Sequence, residues 1–134
     1  MASGKGNYLS GKLLDYVLGA FSFTAPATVY VALYTAMPSG SGGGTEVTGG
    51  SYARVAVTNN STNWPAQSAQ TKNNGAVIDF GTATADWGTV VGAAIWDAST
   101  SGNLLYWGPL TVSRTVLNGD SFKIPVNGAT ITES

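Results

Sequence analysis

Histidine and cysteine are both absent from this 134-residue chain. That removes the Ser-His-Asp and Cys-His arrangements, thiolate chemistry, disulfides and nearly every zinc site at once. Acid–base work would fall to seven carboxylates, Asp15, Glu46, Asp79, Asp86, Asp97, Asp120 and Glu133. A glycosidase needs two of them roughly 5–10 Å apart in a cleft. Asp79, Asp86 and Asp97 could converge, yet each has a simpler local reading. Asp79 suits an outward strand position, and Asp86 and Asp97 suit turns. No calcium loop of the D-x-D-x-D-G kind occurs. The glycine-rich run 38–50, PSGSGGGTEVTGG, lacks the Lys and Ser/Thr of a phosphate loop and leads into no helical pattern. No catalytic residue, metal ligand or cofactor is assigned.

Four tryptophans and six tyrosines remain. Trp64, Trp87, Trp96 and Trp107 could stack on sugar rings. Against this, Trp96 and Trp107 stand on strands at core spacing, which favours a core or subunit-interface role. Charged residues make up only 10% of the chain and the net charge is −1, against about 25% charged in an average domain. Nothing basic is concentrated enough to hold nucleic acid. No run approaches the ~18 apolar residues of a membrane span. The start of the chain lacks a signal-peptide pattern, since Asp15 and Gly19 interrupt 13–20. Scarce charge implies either a Thr/Ser/Asn-coated surface or one covered by copies and partners.

The elements that would position these residues are mostly strands. The centre is 90–109, VVGAAIWDASTSGNLLYWGP. Apolar runs 90–96 and 104–107 flank a polar link, as in a hairpin. Strict alternation puts Val91, Ala93 and Ile95 on one face and Val90, Ala94 and Trp96 on the other. On the second arm, Leu104 and Tyr106 oppose Leu105 and Trp107. Both faces are apolar, so both need cover. The run 28–35, TVYVALYT, reads the same way, with Val29, Val31 and Leu33 against Tyr30, Ala32 and Tyr34. In 51–58, Ala53, Val55 and Val57 oppose a more polar face of Tyr52, Arg54 and Ala56. Further short strands fall at 76–80, 111–116, 121–124 and 129–132, with Asn118-Gly119 as a hairpin turn. Residues 38–50 read as a mobile exposed loop, and 59–74 as a long polar loop or irregular edge.

Residues 1–6 read as a flexible arm, disordered or ordered by a partner. Residues 7–20 follow as an amphipathic helix, with Leu9, Leu13, Tyr16, Val17 and Ala20 on one stripe. Asn7 is placed to cap it and Gly19 to end it. The expectation is one domain, 1–134, with an arm and helix over 1–20 and a sandwich over 21–134. The fold class is all-β: a β-sandwich of about seven or eight mostly antiparallel strands with one N-terminal amphipathic helix.

Several runs carry a resemblance: NYLSGKLLDYVLGA, TAPATVYVALYTAMPS, GTEVTGGSYARVAV, VIDFGTATADWGTVVGAAIWDA and GNLLYWGPLTVSRTVLNGDSFKIP. In that order they resemble a family of small bacteriophage virion proteins, labelled tail fibre proteins. The stretch 59–74 matches least. The resemblance implies a structural protein of the virion, made in the host cytoplasm and carrying no catalytic motif. It departs from a fibre in lacking heptads, repeats and a tip domain. A compact module with an arm and helix looks more like a capsid cement (decoration) protein. That resemblance implies the phage major capsid protein as partner, tail proteins being the alternative, and a homo-oligomer, with a trimer favoured. The expected contact residues are Leu9, Leu13, Tyr16 and Val17 on the helix, with Tyr30, Tyr34, Trp96 and Trp107 on the sheet.

Overall fold

The β-branched and aromatic runs become strands, and the central pair forms as the sequence requires. In the computed structural model, which describes residues 4–132, β2 (Thr28–Ala36), β7 (Gly88–Trp96) and β8 (Leu104–Val116) lie side by side and antiparallel. Val31 stands opposite Ile95, and Ala94 opposite Trp107. β1 (Gly4–Lys5) extends this sheet beyond β8, while β3 (Thr45–Glu46) and β4 (Val55–Thr58) both pair with β2. Across from these six strands lie two separate ribbons. β6 (Ile78–Thr82) pairs with β9 (Ser121–Ile124), and β5 (Thr71–Asn73) with β10 (Thr130–Thr132). One helix, α1 (Asn7–Val17), sits beside β8. The protein is all-β with an N-terminal helix.

The main core lies between the large sheet and the ribbons. Val31, Leu33 and Ile95 of the sheet meet Ile78, Phe122 and Ile124 of the β6–β9 ribbon, all nearly or fully buried. Phe80 and Phe122 pack edge to face at 5.9 Å. Each such buried side chain contributes roughly 1.5–3 kcal/mol. A fully buried amide ties the ribbons together: Asn74 donates to the carbonyls of Ala76 and Pro125 and accepts from the Ala129 N–H.

Several expectations are corrected. Residues 104–107 and 111–116 are one strand, because β8 continues through Pro109 instead of ending there. Pro109 sits at an irregularity of the ladder, where its missing N–H costs little. That irregularity also breaks the alternation: Val90 joins Ala93 and Ile95 in the main core. A second one, between Ile95 and Trp96, sends Leu105 and Tyr106 to the main core and Leu104 and Trp107 to the opposite face. An extra residue in one strand re-aims every side chain beyond it. Tyr52 is not on an outer strand face. The left-handed backbone of Gly49, Gly50 and Ser51 turns it inward, onto Phe80 and Trp87.

The glycine-rich run 38–50 is structured. Ser39 and Gly42 form a bridge, β3 pairs with β2, and Pro38 and Val47 are buried. Within 59–74, the expected loop or irregular edge, Thr71–Asn73 form a regular strand, β5, paired with β10. Gly4–Lys5 are ordered by β8 of their own chain, whereas residues 1–3 of the expected arm lie outside the described residues.

Candidate interaction surfaces

The helix is fixed at its start. Gly6, not Asn7, is the N-cap residue, and no side chain caps the helix. Gly6 N–H instead donates to Leu105 O at 2.8 Å and Asn7 N–H to Gly40 O at 2.7 Å. A Cβ on Gly6 would collide with the Leu104 carbonyl, so only glycine lets the chain approach the sheet this closely. Leu9 enters the core at 5% exposure, and Leu13 packs against it half-buried. Beyond Leu13 the helix overhangs the body. Leu14, Tyr16, Val17 and Leu18 are 55–72% exposed, and Phe21 after the helix is 63% exposed. Gly19 and Ala20 both take positive φ and reverse the chain, and Phe21 N–H closes the end on Asp15 O at 3.1 Å. Apart from Asp15, the last turn is thus apolar, a pattern normally found where most of a helix end is covered.

Beside the root of the helix lies an open groove of about 690 Å³. Leu13, Phe23, Val29, Trp64, Ile95 and Ile131 give it apolar walls. Its one charged lining residue is Lys72, whose Nζ donates to the carbonyls of Pro65 (2.7 Å) and Trp64 (3.2 Å). No carboxylate lines it, so it holds no acid–base pair.

The outer face of the large sheet is closed differently. Ala32, Tyr34, Ala94 and Leu104 are buried there under Trp96 and Trp107. The Arg54 guanidinium lies over the Trp96 ring, 4.3 Å from its centre. It grips Glu46 through Nε at 3.0 Å and Nη2 at 2.9 Å, and Nη1 donates to the carbonyls of Ala98 and Ser101, both at 3.0 Å. Tyr52 Oη donates to Glu46 Oε2 at 2.8 Å and accepts from Leu33 N–H at 2.9 Å. Burial works against the Arg54 charge, but the hydrogen bonds and attraction of Glu46 outweigh it and hold its pKa above the ordinary value. Burial, then Glu46, raises the Tyr34 phenol. The Tyr52 phenol is pushed up strongly, also by burial first. Arg54 therefore locks the β7–β8 link to β3 and the segment before β4. The arrangement holds strands together; it offers no group poised to react.

The expected contact residues separate on these surfaces. Tyr16 and Val17 are exposed on the overhang, and Leu13 lines the groove. Leu9 and Tyr34 are inside the chain's own packing, while Tyr30, Trp96 and Trp107 are half-buried on the sheet. Trp64 and Trp87 are buried, at 8% and 5% exposure, and Trp87 Nε1 donates to Gly50 O. Trp87 is closed off from a sugar, and Trp64 leaves only a sliver of its surface in the groove. Sequence reasoning missed Arg54 and Glu46; their opposite charges, eight residues apart in a charge-poor chain, were the available signal.

The three suspected carboxylates each serve a turn. Asp79 accepts from Gly81 N–H, Asp86 from Asn118 N–H, and Asp97 from both Asn103 N–H and its side-chain amide. No cluster of three metal-ligating side chains occurs among the described residues, and Glu133 lies outside them. Among the described residues no helix is long and apolar enough to cross a membrane.

Comparison with known proteins adds one finding. The family described as Podophage GP4 fiber I protein gp80 matches residues 4–132. No curated protein matches the chain.

Proposed function

The chain belongs to the Podophage GP4 fiber I protein gp80 family, a family of phage structural fibre proteins, and from that premise we propose that it is a fibre subunit that works by being packed among neighbours. The observation that carries this reading is the apolar overhang of α1, on a chain in which only 10% of residues are charged. A helix end with that composition gains free energy only when something covers it. The subunit binds other virion proteins and copies of itself, a trimer being the favoured assembly. It performs no reaction and binds no nucleic acid. Each weak contact is multiplied by the number of copies, so the assembled state is favoured by avidity and mass action.

A second reading has its own support. The described residues form a compact module with one short helix and no coiled shaft among them, which suits a cement protein seated on the major capsid protein. Localisation in purified particles separates the two. Gold-labelled antibody or a particle reconstruction is expected to place the chain on a fibre, and particles lacking it are expected to lose host attachment while their heads keep their heat resistance. Density spread over the head, with heads that rupture at lower temperature when the chain is missing, would establish the cement reading instead.

A further inference from the structure

The overhang and the groove belong to one chain, and each lacks what the other offers. Leu14, Tyr16, Val17, Leu18 and Phe21 are 55–72% exposed, and no described residue covers them. At roughly 150–200 Å² for a large side chain, they present roughly 500–650 Å² of apolar surface. A standard stable interface takes about 800 Å² from each partner. The overhang thus supplies most of one side of such an interface, and the groove, with its apolar walls and volume of about 690 Å³, is large enough to receive several of these side chains. Charge agrees as well. Asp15 is the one acid in the last two turns of α1, and Lys72 is the one charged residue lining the groove.

We propose that the helix end of one copy, 14–21, seats in the groove of a second copy, with Asp15 directed toward Lys72. This rests on the structural-subunit reading and deepens it by naming the surfaces that join the copies. The two surfaces differ, so the contact passes from each copy to the next and closes into a ring where the rotation permits. The root of the helix stays docked through Leu9 on its own core, so only the overhang needs to enter the neighbour.

The test uses the full chain and its mass in solution. Val17→Asp with Leu18→Asp spoils the helix end; both residues are more than 70% exposed, so the fold is preserved. Ala25→Trp, at an exposed position on the groove wall, fills the receiving site. The wild-type chain is expected to be oligomeric by light scattering, and each variant to associate about 30-fold or more weakly. Circular dichroism and melting temperature would show both variants folded. Mixing the two is the decisive step: one junction, intact helix to intact groove, is restored, and a heterodimer is expected. A monomeric wild type would overturn the inference, as would an Ala25→Trp chain that still oligomerises or a mixture that stays monomeric. Oligomers joined through another surface would leave the virion reading standing, whereas absence of the chain from purified particles would overturn that reading whatever the oligomer.

Discussion

The two faces of the six-stranded sheet both bury apolar side chains, but they are closed by different means. The inner face is covered by a second layer of backbone, the two ribbons, whose phenylalanines and isoleucines interlock with the sheet. The outer face has no second layer among the described residues. Two indoles lie over two alanines, a tyrosine and a leucine there, and one arginine pins the arrangement. The inner face distributes its stability over many contacts. The outer face concentrates it in Arg54, whose side chain is only 8% exposed and whose partner Glu46 is 24% exposed.

Substitutions can test that contrast, and the largest effect is expected inside. Phe122→Ala should lower unfolding free energy by about 3–5 kcal/mol in a urea titration, because the ribbon cannot collapse into the space. Arg54→Ala should cost about 2–4 kcal/mol, since it strands the Glu46 carboxylate and uncovers Trp96. Arg54→Lys should recover only part of that loss, because an ammonium cannot bridge both carboxylate oxygens. An Arg54→Ala chain as stable as wild type would show that the indoles hold the outer face unaided.

A smaller effect is expected at alkaline pH. The folded chain holds the Tyr52 and Tyr34 protons more tightly than the unfolded chain does. Their contribution is complete below about pH 10 and is lost as pH rises beyond it, where the unfolded tyrosines ionise first. Tyrosine absorbance and circular dichroism should therefore change together in that range. Tyr52→Phe should make the alkaline loss shallower, at a cost of about 1–2 kcal/mol at neutral pH for the Leu33 N–H left without its acceptor. The smallest effect belongs to the exposed Lys123–Asp79 pair at 3.8 Å, where Lys123→Ala should change stability by less than about 0.5 kcal/mol.

Much of this contrast is legible in the residues. Val29, Val31 and Leu33 against Ala32 and Tyr34 follow from period-two alternation, and β2 keeps that alternation from Val29 to Tyr34. The same rule fails on β7 and β8, because the ladder slips twice and only the slip beside Pro109 is announced by a residue type. Val90 and Leu105 consequently change sides. The two-residue strands β1 and β3 are set by distant partners, which local propensity does not reveal. The helix stripe is readable, but its periodicity cannot show that the body stops beneath Leu13. The overhang and the groove become visible only when both ends of the chain are in place.

β1 docks on residues 106 and 107, and the groove draws its walls from Leu13 near the beginning and Ile131 near the end. Pairings across such sequence distances form late, after most of the polypeptide has left the ribosome. A copy synthesised only as far as residue 130 has no finished socket, so it cannot capture a neighbour's helix, and readiness to assemble waits until Ile131 has emerged and folded.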